Sequence, residues 1–177
     1  TLETSRQGGW KHIDTAFLGG TADNGLGVAL LYSGVNGNGY REGNNGNDID
    51  DVILKTHWAP TEQDEFWFNL HYYDATADMP GGLTQKQYDA KPYDSDRDWD
   101  NFSGRRKDVS FKYQRQVDDR TQFEVLTYYS DSFRGSNIAA SDQKTLVSYP
   151  RTYYTFGIEP RVSHAVSYTH LTLPTKA

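Results

Sequence analysis

The sequence predicts an all-β fold, about seven antiparallel strands meandering in chain order and forming part of the wall of a transmembrane β-barrel. Three observations lead there. The composition is polar yet rich in rings: of 177 residues 36% are apolar, mean hydropathy is −0.81, and 14% are aromatic, with 13 Tyr, 8 Phe and 4 Trp. Apolar and polar residues alternate with a period of two through successive segments. The gaps between those segments are themselves alternately short and long.

Each of these excludes something. So many rings do not fit a disordered tail, and so little apolar content argues against a soluble core. A barrel wall reconciles them, because one face of every strand meets lipid and the other meets water. No run of about 18 apolar residues is present, so no transmembrane helix is expected. The absence of cysteine removes disulfide scaffolds and thiolate metal sites and locates nothing by itself. A formal charge of −6 argues against nucleic acid as a partner, which would need a basic footprint. Thr1 is not an initiator methionine and no charged-then-apolar leader precedes the first pattern, so the chain is expected to be internal to something longer, or processed.

The first segment, around Trp10 to Leu18, is weak and runs into Gly19–Gly25, a turn by its Asn24-Gly25 chemistry. The second places Leu26, Val28, Leu30 and Tyr32 on one face and Gly27, Ala29 and Ser33 on the other, with Leu31 out of pattern. Gly34–Asn47, dense in Gly and Asn, reads as the first long loop. The third segment sets Val52, Leu54, Thr56 and Trp58 against Lys55 and His57, and Pro60–Asp64 turns it into the fourth. There Phe66, Phe68, Leu70 and Tyr72 face out while Trp67, Asn69, His71 and Tyr73 line a wet interior. The second long gap, about Ala75 to Lys107, is too polar to be buried and of a length that usually carries function. The fifth segment opposes Val109, Phe111 and Tyr113 to Ser110, Lys112 and Gln114, and Asp118–Thr121 turns it into the sixth, where Phe123, Val125 and Tyr129 repeat the pattern. The third long gap, Arg134 to Pro150, leads to the seventh, with Tyr154, Phe156 and Ile158 opposed to Tyr153, Thr155 and Glu159.

Short turns at one rim and long loops at the other are what a membrane barrel produces. Strands of about 9 to 13 residues suit a tilted crossing, and Tyr32, Trp58, Tyr72 and Tyr129 fall where an aromatic girdle would sit. Seven strands cannot close such a barrel, so its open edges are expected to pair with strands outside this sequence.

The stretches Gly19–Gly34, Gly39-Tyr40-Arg41-Glu42, Gly81-Gly82-Leu83-Thr84, Gly104–Asp108 and Phe133-Arg134-Gly135 resemble the barrel of TonB-dependent ferric citrate receptors, over roughly residues 8 to 164. The resemblance implies a 22-stranded barrel in the outer membrane of a Gram-negative cell, with outer-membrane lipid and lipopolysaccharide around it. It further implies an N-terminal plug, a TonB box that contacts the TonB–ExbB–ExbD complex, and uptake of ferric citrate. Plug and TonB box do not occur in these residues. Residues 1–165 are assigned to the barrel. Residues 166–177, which depart from the family pattern and look like the translation of a sequencing adapter, are set aside as a non-native tail; the alternative is a genuine eighth strand over Tyr168–Leu173.

A citrate complex of iron is anionic, so its receptor needs fixed cations at the barrel mouth, and the planar fork of Arg grips carboxylates bidentately. The topology sets Arg41, Arg97, Arg105, Arg106, Arg134 and Arg151 at the outer rim and Arg120 in a periplasmic turn. Arg134 and Arg151 flank one loop and converge on one ligand if both point into the lumen; otherwise their partners are Asp131 or lipopolysaccharide phosphates. Adjacent strand residues face opposite ways, so at most one of Arg105 and Arg106 points inward. Asp94, Asp96, Asp98 and Asp100 alternate, but Trp99 and Arg105 stand where a calcium-binding EF-hand loop requires Gly and Glu. His12, His57, His71 and His164 are scattered over different strands and suggest no metal site; no cofactor is expected, and iron stays within its chelate. The chain is not expected to be an enzyme. Alternatives are a receptor for another ferric chelate or nutrient, an outer-membrane barrel enzyme using Asn69 and His71 with a serine, and an adhesin.

Overall fold

The computed structural model describes residues 1–4, 9–140 and 144–166. Its strands are β1 (Leu2–Thr4), β2 (Trp10–Thr21), β3 (Gly27–Asn38), β4 (Gly46–Trp58), β5 (Asp64–Asp78), β6 (Asn101–Asp118), β7 (Thr121–Ala139), β8 (Leu146–Ser148) and β9 (Arg151–His164), with one short helix, α1 (Gln85–Ala90). All belong to one antiparallel sheet. Strands β1 to β7 pair in chain order; β7 then pairs with β9 along most of its length and with β8 at its outer end. The sheet is open, with β1 and β2 along one side and β8 and β9 along the other.

Direct cross-strand partners share a face, so the register tests the faces read from the sequence. One unbroken row runs Leu18, Leu30, Leu54, Leu70, Val109, Tyr129, Phe156 across seven strands. The rows on either side of it on this face carry Val28, Phe68, Phe111 and Ile158, and Tyr32, Val52, Tyr72 and Tyr154. Most of these side chains are exposed, Leu18 to 73% and Phe156 to 83%, which a water-facing sheet of this size would not tolerate. Among the described residues the only buried apolar side chains are Ala75 and Ala139, so the sheet has no core of its own. It is a wall, solvated by lipid on the apolar side.

The apolar band has the height of a membrane. On this face of β6 the charged residues Lys107 and Arg115 bracket Val109, Phe111 and Tyr113. That is about 26 Å of strand, or about 20 Å of height at the usual tilt, close to the ~25 Å band of outer-membrane barrels.

The turns and loops sort as expected. Tight connections join β2 to β3, β4 to β5 and β6 to β7 at one rim; the first has Gly25 at φ +79° and Asn24 Oδ1 accepting from Leu26 N at 3.1 Å. Longer ones leave the opposite rim. The strand lengths depart from expectation: β6 has 18 residues and β7 has 19. Gly34–Asn38, Gly46–Asn47, Ala75–Asp78, Asn101–Lys107 and Arg134–Ala139, read as loop, are strand. They lie beyond the apolar band, where the outward row is Asp14, Gly34, Asp50, Asp74, Arg105. With water on both faces the hydropathy alternation vanishes while the ladder continues, so the outer ends stand clear of the lipid. The second gap also contains α1, opened by a capping box in which Thr84 Oγ1 accepts from Gln87 N and Gln87 Oε1 accepts from Thr84 N. Residues 167–177, and with them the adapter-like tail and the alternative eighth strand, lie outside the described residues.

Candidate functional site

The face opposite the lipid carries Lys55, Asn69 and Ser110 in one cross-strand row and His71, Asp108 and Ser130 in the next, and is the lumen face. His57 and His71 lie on it. At its outer end Arg134 of β7 and Arg151 of β9 are direct partners, the last pair of that ladder. Like charges set directly opposite destabilise a sheet unless something neutralises them. Arginine ion pairs among the described residues involve Arg97, Arg106, Arg115 and Arg161, and neither member of the Arg134–Arg151 pair. Arg134 lies over the Phe102 ring, 5.5 Å from its centroid. Together Arg134, Ser136, Ile138, Tyr149 and Arg151 line a cleft of about 310 Å³. Asp131 is not their counter-ion: it stands opposite Lys107 and Tyr154 in the strand register, on the lipid face.

Arg105 and Arg106 separate as strand geometry requires. Arg106 is on the lumen face with Tyr73 and Ser132; Arg105 is on the lipid face, 5.9 Å from the Phe133 ring centroid and turned away from the cleft. Arg106 belongs to a hydrogen-bonded chain. Its Nε donates to Asp108 Oδ2 at 2.6 Å, and Ser130 Oγ donates to Asp108 Oδ1 at 2.5 Å. His71 joins through Nδ1, 3.4 Å from Asp108 Oδ2, while its Nε2 lies 2.8 Å from Asp51 Oδ1. Strands β4, β5, β6 and β7 thus each contribute one member or more, which orders this part of the wall.

The remaining outer arginines hold loops. Arg41 is half-buried: its Nε donates to Asp94 O at 2.6 Å, its own carbonyl accepts from Asn45 Nδ2, and Glu42 N donates to Tyr93 O at 2.7 Å. This ties the 39–45 loop to the 79–100 loop and withdraws Arg41 from the lumen surface. Arg97 reaches the end of β7, Nη1 donating to Ala139 O at 3.3 Å. Beneath them Asp100, 7% exposed, accepts from Ala139 N through Oδ1 at 2.6 Å, and its carbonyl accepts from Asn44 Nδ2 and Met79 N. Two further aspartates of this loop are engaged internally: Asp94 Oδ1 caps Ser95 N, and Asp96 Oδ1 accepts from Gln87 Nε2. Arg120 lies in the tight turn after β6, where its N–H donates to Asp118 Oδ1.

The structure thus brings Arg134 and Arg151, which the sequence sets on either side of one loop, together at one cleft, and separates Arg105 from Arg106; the sequence gives no sign of the loop contacts of Arg41 and Arg97. It also misses the Asp51–His71–Asp108–Arg106 chain, although the period-two pattern puts each member on the inner face of its strand.

No family model matches the chain. Among solved structures it is similar to the ferric citrate transporter FecA in its unliganded crystal form, at 42% identity and a TM-score of 0.84 over 94% of this chain. It covers 25% of that chain, so it spans about a quarter of the transporter's length. The similar protein is a transporter, a likeness that gives no support to the barrel-hydrolase alternative. By its open antiparallel sheet, its lipid-facing band and this likeness, the chain is a segment of β-barrel wall resembling that of the ferric citrate transporter FecA.

Proposed function

We propose that the chain forms wall and outer loops of a TonB-dependent outer-membrane receptor that binds and imports ferric citrate. The observation that carries this reading is the 42% identity to a ferric citrate transporter across nearly the whole chain. The unneutralised Arg134–Arg151 pair agrees with it, since two guanidiniums held side by side in a lumen-facing cleft suit a polycarboxylate anion. In this reading the anion supplies the charge that the sheet lacks between these strands. Energy for import comes from the TonB–ExbB–ExbD complex acting on parts of the full-length protein outside these residues.

The test is ferric citrate binding to the full-length protein in detergent, with Arg134 and Arg151 changed singly to Ala. Each change is expected to weaken binding about tenfold or more, roughly 1.4 kcal/mol. Wild-type protein that binds no ferric citrate would overturn the substrate. Wild-type binding that neither change weakens would leave a receptor whose site lies elsewhere.

A further inference from the structure

Resting on the ferric citrate reading, we propose that Arg106 is a third arm of the anion site and that Asp108, itself held by Ser130 and His71, is its positioning residue. Arg106 lies on the lumen face diagonal to Arg134: Arg134 pairs with Gly104, two residues before Arg106. Diagonal neighbours stand about 7–8 Å apart, within reach of two long side chains converging on one ligand. The Phe102 ring packs over Gly104, about 3.3 Å from where a Cβ would stand, and Arg134 rests on that ring.

The hydrogen bonds decide which edge of Arg106 is available. Asp108 takes Nε, so the edge bearing the two Nη atoms has no partner among the described residues, and the side chain is 57% exposed on the lumen face. A carboxylate partner also reduces the net charge that an incoming anion meets. At this exposure that Coulomb effect is screened, with a Debye length of about 8 Å at physiological salt. The geometric effect is not screened. A guanidinium fixed at Nε has lost most of its rotamer freedom before ligand arrives and presents its remaining N–H groups in a constant direction. Asp108 can impose that direction because both of its oxygens are themselves held, Oδ1 by Ser130 and Oδ2 beside His71. Arg106 lies outside the cleft lined by Arg134 and Arg151, so a ligand with several carboxylates can extend one of them to it where a monoanion cannot.

The experiment measures ferric citrate affinity of the full-length receptor in detergent for wild type, Arg134→Ala, Arg106→Ala, Asp108→Asn and the Arg106→Ala/Asp108→Asn pair. Arg106→Ala is expected to weaken binding about tenfold and Asp108→Asn about three- to tenfold, while the pair is no weaker than Arg106→Ala alone, because Asp108 acts through Arg106. Arg106→Lys, which keeps the charge but has no Nε for Asp108 to hold, is expected to fall between wild type and Arg106→Ala. Equal loss from Asp108→Asn with and without Arg106 would mark Asp108 as a wall residue only and overturn its role. If wild type binds, Arg134→Ala weakens and Arg106→Ala does not, this inference falls and the proposed function stands. If wild type does not bind ferric citrate, both fall.

Discussion

Leu70 and Asn69 are adjacent in β5, yet they belong to surfaces under different constraints. The row through Leu70 is apolar on all seven long strands, Leu18 to Phe156, with no charge and no glycine. The row through Asn69, one residue away on the other face, runs Gly19, Ala29, Lys55, Asn69, Ser110, Tyr128, Gly157 and mixes small, basic, amide, hydroxyl and aromatic residues. Lipid sets one requirement for all strands, so the row through Leu70 is uniform. The lumen face answers to particular contacts, such as Asn69 Nδ2 donating to Ser110 Oγ at 3.2 Å or Lys112 Nζ 3.5 Å from the Trp67 ring centroid. Where the lipid ends, at the row of Asp14, Asp50, Asp74 and Arg105, the two faces become alike, and the site lies at that level on the inner side.

The largest effect that separates the faces is a charge placed on each. Leu70→Arg in the full-length protein is expected to cost about 2–4 kcal/mol of folding stability in a bilayer, against less than about 1 kcal/mol for Asn69→Arg. Equilibrium folding into lipid vesicles measures both, and equal costs would remove the distinction. The loop end is expected to respond next. Asp100→Ala leaves the Ala139 N–H without its acceptor, at about 1–3 kcal/mol, and should increase proteolysis and amide exchange in the 79–100 loop without altering the wall below. Unchanged exchange there would mean that Asp100 does not secure the loop. Smallest is Arg105→Ala: on the lipid face its loss is expected to leave ferric citrate affinity within about twofold, against about tenfold for Arg106→Ala. Similar losses from both would contradict their separation.

Within the lipid the fold was legible because water and hydrocarbon impose opposite preferences on alternate residues; Phe66 to Tyr72 and Val109 to Gln114 show the pattern cleanly. Above it the preference is polar on both sides. Arg105, Arg106 and Arg134 therefore read as loop although they are in the interiors of β6 and β7. The strands β1 and β8, of three residues each, are too short to carry a period. Helix α1 left a usable signal, Thr84 followed three residues later by Gln87, inside a gap read only for its Gly, Pro and Asp. At the site, hairpin logic brings Arg134 opposite Arg151 because each flanks the same loop. Nothing local links Arg41 to Asp94, 53 residues away, and that contact decides whether Arg41 faces ligand or holds a loop.

The division into a lipid face and a lumen face is the central claim, and the absence of native cysteine in the chain makes it directly measurable. Leu70→Cys and Asn69→Cys, introduced singly into the full-length protein in a background without other accessible thiols, would each carry a small fluorophore in lipid vesicles. Emission at position 70 is expected to be quenched by a nitroxide-labelled lipid and untouched by iodide, and emission at position 69 to be insensitive to the lipid quencher. Iodide quenching at position 70, or lipid quenching at position 69 equal to that at 70, would contradict the account.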